Sequence, residues 1–360
     1  MPYELCEKVR ELEPYEPIKG SFRIRLDANE SFYNMPDEIK DEIKAIIDET
    51  DFNRYPDPLA EELINAFADY YGISAENVTA TNGSDEMLYL LASGLIKRGS
   101  RVVTADPDFS MYAFYSYLSE NQIETYRKTD LEINIDELIS FVNEKKADML
   151  IFSNPCNPTG RGITADEARK LVNAVGDCLV VLDEAYMDFW NESILNEADR
   201  YDNLIVLKTA SKAVGAASLR LGFAIANKRI TKALRAIKSP YNVNTLSQKI
   251  GKCIFSHKEL LKARKEEIIK NTASLQKGIR KLADNYSLPF KIYSSNANFV
   301  FVETDKAKDI FDYLLENSIA VRYFGKYDAL RITSGSEEEN TALLVQLEQY
   351  IIKNILKRNR

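Results

Sequence analysis

Residues 179–186 read Leu179-Val180-Val181-Leu182-Asp183-Glu184-Ala185-Tyr186, four apolar residues followed directly by two acids, an alanine and a tyrosine. A continuous run of β-branched and aliphatic residues is typical of a strand that is buried on both faces of a largely parallel sheet. Helical patterns separate this run from five others of similar texture, at 78–81, 101–104, 149–152, 204–207 and 219–226. Such alternation predicts an α/β fold with a central sheet.

The texture of the chain changes on both sides of this region. After a long helical pattern at about 244–284, short strands are predicted at 299–302, 320–323 and 330–333, followed by a C-terminal helix. We therefore predict a large domain at 51–260 and a smaller α+β domain at 261–360. Residues 1–50 are predicted to form an arm and a helix that pack with the smaller domain.

Composition narrows the possible function classes. The net charge of −8 does not favour binding to nucleic acid, and no apolar run approaches the roughly 18 residues that span a bilayer. The four cysteines are scattered and His257 is the only histidine, so neither a metal site nor a Ser-His-Asp triad is predicted. The first twenty residues lack the apolar core of a signal peptide, which favours a cytoplasmic protein.

Polar residues follow several predicted strands, at the sheet edge where open α/β folds bind ligands. The glycine turn at 82–85 can present helix amides to an anion, although Ser84 or Asp85 could equally cap the helix. Asn157 lies in a proline-stiffened loop, and Lys212 follows another strand end. Asp183 could be half of a structural ion pair. Together with a tyrosine, however, these groups match what pyridoxal phosphate requires of a protein.

These residues resemble those of the fold-type I, class I/II pyridoxal-phosphate-dependent aminotransferases, and among them the histidinol-phosphate aminotransferases. The similarity runs from Leu26-Asp27-Ala28-Asn29-Glu30, through Asn157-Pro158-Thr159-Gly160, to Leu330-Arg331-Ile332-Thr333-Ser334-Gly335. It implies an α/β large domain with a mostly parallel sheet, a smaller α+β domain and pyridoxal 5'-phosphate as cofactor. It also implies a small-molecule amino donor and a keto-acid acceptor, with histidinol phosphate and 2-oxoglutarate as the named pair.

The resemblance implies roles for individual residues around the cofactor. Lys212 is similar to the lysine that binds the cofactor as a Schiff base and then acts as a general base. Asp183 is similar to the acid that pairs with the pyridine nitrogen, and Tyr186 and Asn157 to the donors to the phenolate oxygen. Tyr112 is similar to an aromatic residue that stacks on the ring. The residues that resemble phosphate ligands are Ser84, Asp85, Thr209, Ser211 and Arg220.

The resemblance also implies a substrate site and a homodimer. Arg331 is similar to the arginine that binds the anionic end of the substrate, with Arg322, Tyr15 and Asn29 as further substrate contacts. Tyr55 is similar to a tyrosine that reaches the cofactor phosphate of the neighbouring subunit, which would make a homodimer necessary for full activity.

Some positions depart from the pattern of the resemblance and bear on the substrate. Cys156 stands where asparagine is usual, Ala217-Ser218 where Ala-Gly is usual, and Ile18-Lys19-Gly20 where a Pro-Gly-Lys-like segment is usual. Three alternatives therefore stay open. They are an aromatic-amino-acid aminotransferase, a lyase resembling threonine-phosphate decarboxylase, and a cofactor-binding regulator without catalysis.

Overall fold

The computed structural model describes residues 3–10, 12–14 and 16–356, without the side chains of the last two. These residues form twelve strands: β1 Ile24–Leu26, β2 Val78–Asn82, β3 Arg101–Asp106, β4 Gln122–Arg127, β5 Met149–Ser153, β6 Leu179–Asp183, β7 Leu204–Thr209, β8 Leu221–Ala226, β9 Lys291–Ile292, β10 Phe299–Glu303, β11 Ile319–Phe324 and β12 Ala329–Thr333. They also form twelve α-helices: α1 Glu7–Arg10, α2 Asp37–Asp48, α3 Glu61–Tyr71, α4 Gly83–Leu90, α5 Met111–Leu118, α6 Ile135–Lys145, α7 Ala165–Ala174, α8 Lys228–Ile237, α9 Thr245–Ser256, α10 Lys258–Asn285, α11 Ala307–Glu316 and α12 Glu337–Tyr350.

The larger sheet has seven strands in the order β2-β8-β7-β6-β5-β3-β4. The pairings among β3, β4, β5, β6 and β7 are parallel, whereas β8 runs antiparallel to both of its neighbours. The α/β fold with a mostly parallel central sheet is thereby confirmed. In this arrangement the carboxyl ends of β2, β5, β6 and β7 meet at one edge of the sheet, beside the start of β8.

Both faces of this sheet are buried, as the continuous apolar runs predicted. Val180 and Leu182 face helices α3, α6, α7 and α9, where Phe67 stacks on Phe223 at 3.8 Å between ring centroids. Val181, between them, faces the opposite layer formed by α4, α5 and α8. Because side chains alternate along a strand, Asp183 falls on the α4–α5 face and Glu184 on the other.

The smaller sheet has the order β1-β11-β12-β10-β9, and helices α10, α11 and α12 pack on it. Strand β1 pairs in parallel with β11, so part of the N-terminal arm joins this sheet. Helix α2 differs from the predicted arrangement, since its Ile39 is buried in the core of the larger unit and α2 contacts α9. The division at 50 and 260 otherwise stays a prediction.

Some predicted boundaries need correction. The strand predicted at 219–226 begins at Leu221, because residues 217–219 form a 3₁₀ turn and Arg220 has a φ of 50°. The long helical pattern is two helices, α9 and α10, that meet at His257. Strands β1, β4 and β9 were not predicted. No helix among the described residues has both the length and the apolar character needed to cross a membrane.

Candidate active site

The functional candidates converge where the two sheets face each other. Tyr186 and Ala213 share a small apolar cluster with Phe299 of the smaller sheet, and the rings of Tyr186 and Phe299 meet edge to face at 5.2 Å. Asp183 and Thr209 end neighbouring strands of the larger sheet at this place. The site therefore draws on both units of the fold.

A tight backbone turn forms the first part of the site. Gly83 opens α4 with a φ of +77°, and no side chain caps the helix at Asn82. A Cβ on Gly83 would lie 2.7 Å from Arg220 Nη2, and a Cβ on Gly222 would lie 2.4 Å from Ser84 N. The capping alternative for Ser84 or Asp85 is therefore not what the structure contains. The amides at the start of α4 remain available to an anion.

Polar side chains surround this turn. Arg220 Nη2 lies 3.3 Å from Asp85 Oδ2, and Arg220 Nη1 lies 3.5 Å from Ser211 Oγ. Thr209 Oγ1 donates to Ser211 Oγ at 3.0 Å and accepts from Ser211 N at 3.1 Å. All five residues predicted as phosphate ligands thus lie around one turn, with the half-exposed guanidinium of Arg220 on its outer side.

Asp183 is a buried carboxylate next to this turn. Its Oδ2 accepts from Tyr112 Oη at 2.8 Å, and its Oδ1 accepts from Ala185 N at 3.1 Å. Burial raises the pKa of Asp183 to about 6, although the hydrogen bonds from Tyr112 and Ala185 act in the opposite direction. Burial, together with the charge of Asp183, also holds the pKa of Tyr112 well above its usual value. Tyr112 is thus a hydrogen-bonded partner of the acid.

Three consecutive residues of the N-terminal segment each contact one candidate side chain. Asp27 O accepts from Arg331 Nη2 at 2.6 Å, and Ala28 O accepts from Lys212 Nζ at 2.9 Å. Asn29 Nδ2 donates to Tyr186 Oη at 2.9 Å. The segment therefore lies across the site and links β12 to the larger unit.

Thr333 fixes the orientation of the Asn29 amide. Its Oγ1 donates to Asn29 Oδ1 and accepts from Asn29 N, both at 3.0 Å. Because Thr333 engages the amide oxygen, the amide nitrogen faces Tyr186 and occupies an acceptor position on its hydroxyl. The hydroxyl hydrogen of Tyr186 is then free to point to another acceptor. Sequence reasoning missed Thr333, since no local pattern connects residues 304 positions apart.

Arg331 is buried and bonded to the proline loop. Its Nη1 donates to Asn157 Oδ1 at 2.5 Å, and its guanidinium carbon lies 5.5 Å from the ring centroid of Phe299. Arg322 on β11 is the register partner of Arg331 on β12. The pair therefore concentrates positive charge next to the loop that carries Asn157.

A buried ion pair beneath this loop was also missed. Lys128 Nζ lies 3.3 Å from Asp108 Oδ2 and 3.0 Å from Cys156 Sγ. Ser153 Oγ donates to Asp108 and accepts from Asn157 N at 3.0 Å. The departure at Cys156 thus lies in the support of the Asn157 loop. Asp108 follows Pro107 in the sequence, but nothing local identified Lys128 as its partner.

Two predicted residues lie apart from this arrangement. Tyr55 is 82% exposed and stacks on Tyr241, with 4.7 Å between ring centroids. Tyr15 lies outside the described residues, so its predicted substrate contact stays a prediction.

A second charged cluster occupies the opposite face of the sheet. Glu184 is buried, with an oxygen 3.9 Å from Lys208 Nζ, while Lys208 Nζ lies 2.9 Å from Asp188 Oδ1. Burial raises the pKa of Glu184 to about 7, against the opposing effect of Lys208. Folding thus favours the protonated form of this carboxyl.

We expect Glu184→Gln to flatten the pH dependence of stability. An acid whose pKa is higher in the folded state stabilises the fold below its unfolded pKa, and this contribution is lost as pH rises through the folded value. The wild-type free energy of unfolding should therefore fall, relative to the variant, by roughly 1–3 kcal/mol between pH 4.5 and 7.5. Urea unfolding of both proteins at these pH values measures it. Parallel stability curves would contradict the prediction.

Comparison with known proteins places this arrangement in a family. Residues 23–347 match the model of the aminotransferase class I and II family. The chain is 38% identical over 349 residues to the histidinol-phosphate aminotransferase of Clostridium novyi, covering 96% of each chain. It is 37% identical to the enzyme of the same name from Clostridium kluyveri, covering 96% of this chain and 98% of that one.

Solved structures share the fold. The histidinol-phosphate aminotransferase of Sinorhizobium meliloti, in complex with pyridoxal-5'-phosphate, superposes with a TM-score of 0.83 over 92% of each chain, at 23% identity. The L-threonine-O-3-phosphate decarboxylase of Porphyromonas gingivalis gives a TM-score of 0.78 at 24% identity, over 92% of this chain and all of that one. At such identities the likeness concerns the fold and does not separate transfer from decarboxylation. The family match and the full-length relatives together show that this chain belongs to the aminotransferase class I and II family.

Proposed function

We propose that this protein is a pyridoxal-phosphate-dependent aminotransferase that converts histidinol phosphate and 2-oxoglutarate into imidazole-acetol phosphate and glutamate. The observation that carries the reaction type is the convergence of Lys212, Asp183 and Tyr186 beside the glycine turn of α4. The histidinol-phosphate substrate is supported by relatives of that name at 37% and 38% identity over nearly the whole chain.

The residues present fit the cofactor. The close approach at Gly83 and Gly222 leaves α4 amides, Arg220 and hydroxyl groups to hold a phosphate, with Ser84, Asp85, Thr209 and Ser211 around the same turn. Asp183 would pair with the pyridine nitrogen, and Tyr186 and Asn157 would donate to the phenolate oxygen. Tyr112 would border the ring while holding Asp183.

Pyridoxal phosphate supplies an electron sink for the pair of electrons left when a proton leaves the substrate carbon. The proton itself is moved by this chain. Lys212 Nζ, which reaches Ala28 O at 2.9 Å, would take the proton and return it to another carbon. Asn29 would act as a positioning residue, because it directs the hydroxyl hydrogen of Tyr186 away from itself. Asn29 would also border the bound substrate.

Arg331 and Arg322 would bind the anionic end of the substrate. A guanidinium can bind a phosphate or a carboxylate with two parallel hydrogen bonds, which suits both a phosphorylated donor and a keto-acid acceptor. Two arginines in register, one of them buried, can serve both substrates in turn.

We expect Arg331→Lys to raise KM for both substrates by roughly 10- to 100-fold, since lysine keeps the charge and loses the two-pronged contact. The change also removes one bond to Asn157, so kcat should fall less than KM rises. Steady-state kinetics measures both constants. Arg280→Lys, an exposed arginine of the smaller unit, is the matched control and should leave KM unchanged. An unaltered KM at Arg331→Lys would exclude this arginine from the substrate site.

We also propose that the protein is a homodimer in which Tyr55 contacts the cofactor phosphate of the partner subunit. The support is the position of Tyr55, which is 82% exposed and whose ring packs on Tyr241 rather than on its own subunit's glycine turn.

Mixed dimers of Tyr55→Ala and Lys212→Ala test this arrangement. Each variant alone should be weakly active or inactive. In a mixed dimer, the subunit that retains Lys212 would receive an intact Tyr55 from its partner, so about half of the wild-type activity per dimer should return. A mixture of Lys212→Ala and Asp183→Asn, both within one subunit's site, should show no recovery. Failure of the first mixture to recover would place Tyr55 outside the partner's site.

The reaction itself is tested by titrating the cofactor-loaded protein with histidinol phosphate in the absence of a keto acid. Loss of the visible absorbance band near roughly 420 nm, with formation of the pyridoxamine form, would support both cofactor and substrate. A response to aromatic amino acids but not to histidinol phosphate would favour an aromatic-amino-acid aminotransferase. Release of carbon dioxide from phosphothreonine would favour the lyase. A protein that cannot be loaded with cofactor would overturn the proposal.

A further inference from the structure

Three potential metal ligands meet away from the active site. Cys253 lies in the last turn of α9 and His257 follows the end of that helix, four residues later, so both can face the same side. Glu42 of α2 lies opposite them. His257 Nε2 is 3.1 Å from Glu42 Oε1, Cys253 Sγ is 3.2 Å from Glu42 Oε2, and all three ligand atoms lie within 4.8 Å of one another.

These separations are close to those of a tetrahedral zinc site. With zinc–ligand bonds of about 2.0–2.3 Å, neighbouring ligand atoms are separated by roughly 3.3–3.7 Å. The two measured contacts are a few tenths of an ångström shorter, and small side-chain rotations would correct the difference. Thiolate, imidazole and carboxylate are all ligands that zinc accepts.

The charges around the cluster also favour a cation. Within the described part of the chain, the side-chain hydrogen bonds and ion pairs of Glu42 are made to Cys253 and His257, not to a lysine or arginine. The hydrogen bond from Cys253, followed by that from His257, lowers the pKa of Glu42. An ionised carboxylate is therefore held between the other two groups.

We propose that Glu42, Cys253 and His257 bind one zinc-class divalent cation, with water completing the coordination, and that this cation joins α2 to α9. The metal forms bonds to Sγ, to Nε2 of the neutral imidazole and to a carboxylate oxygen. The Cys253 thiol loses its proton to solvent, so charge balances at the site. Sequence reasoning predicted no metal because Cys253 and His257 lack a second cysteine or histidine, and Glu42 lies 211 residues from Cys253.

The site would stabilise the fold rather than take part in the reaction. Helix α2 contacts α9, and Ser247, at the opposite end of α9, donates to Leu219 O beside Arg220. A cation that holds α2 against α9 binds the folded state alone, so it should raise Tm by about 2–4 °C. The kcat should not change, because none of the three ligands contacts the residues of the active site.

Calorimetric titration of the cofactor-loaded protein with Zn²⁺ tests the proposal. We expect one equivalent per chain with a Kd tighter than about 10 μM, weakened at least tenfold by Cys253→Ser, His257→Ala and Glu42→Gln. Glu42→Gln keeps the shape and polarity of the residue, so its loss of binding cannot be attributed to unfolding. Cys6→Ser, which alters an exposed thiol elsewhere, should bind as the wild type does.

A second readout reports on the thiol itself. Zn²⁺ should slow alkylation of Cys253 by iodoacetamide and leave alkylation of Cys6 unchanged, as measured by peptide mass spectrometry. No calorimetric binding, equal binding by wild type and all three ligand variants, or unprotected Cys253 would each overturn the proposal. These outcomes do not depend on the substrate or on catalytic activity.

Discussion

Lys212→Ala is expected to lower kcat by about 10³-fold or more, the largest loss of any substitution in this protein. The amine of Lys212 would have two tasks, the covalent attachment of the cofactor and the movement of the substrate proton. No neighbouring group can assume either task, since His257 is the only histidine and lies at the far end of α9. The loss should therefore appear in kcat for every amino donor.

The structure explains why the position is specific to this lysine. Lys212 Nζ lies 5.9 Å from the ring centroid of Tyr186 and donates to the backbone at Ala28 O, so the amine is already directed into the site. Lys208, four residues earlier, ends on the opposite face of the sheet, between Glu184 and Asp188. Only one of these two lysines can reach a ligand held at the α4 turn.

Two measurements check the prediction. Steady-state kinetics gives kcat, and borohydride treatment of the loaded protein fixes the cofactor to its lysine, so the modified peptide can be identified by mass. The label should be found on Lys212 in the wild type and be absent from the variant. Lys232→Ala, an exposed lysine of α8, is the control and should retain both activity and label. Label on any other lysine would refute the assignment.

Much of the larger sheet could be predicted because its strands are buried on both faces. Burial there requires continuous apolar runs, and the first polar residue after each run marks the sheet edge, as Asp183 and Lys212 illustrate. Strand β4 was missed because it lies at the sheet edge, where Gln122, Glu124 and Arg127 are tolerated. Local burial patterns thus predict central strands and fail at the edges.

The smaller details of the site depend on contacts between distant parts of the chain. The bond from Asn29 to Tyr186, the orientation of that amide by Thr333, and the pairing of Asp108 with Lys128 all join residues that no local periodicity connects. The chemistry of the candidate residues could be predicted from their types, but their orientation could not, because it is determined by packing between the two sheets.

Asp183→Asn is expected to lower kcat by roughly 10²- to 10³-fold, with a smaller effect on KM. The amide is nearly the same shape as the carboxyl, and its oxygen can still accept from Ala185 N. The negative charge is lost, however, and an amide cannot hold the pyridine nitrogen in its protonated form. Electron withdrawal by the cofactor would then weaken at the step in which the substrate proton leaves, which is why the loss belongs in kcat.

The matched control is Glu184→Gln, which neutralises the adjacent acid on the opposite face of the same chain segment. In the protein without cofactor, burial raises the pKa of both acids, to about 6 for Asp183 and about 7 for Glu184. A bound pyridinium would lower the pKa of Asp183 alone, because a nearby positive charge favours the carboxylate. Glu184→Gln should therefore change stability and leave kcat within about threefold, since the residue contacts no candidate site group. Equal losses of kcat in the two variants would show that Asp183 acts through the fold rather than through its charge.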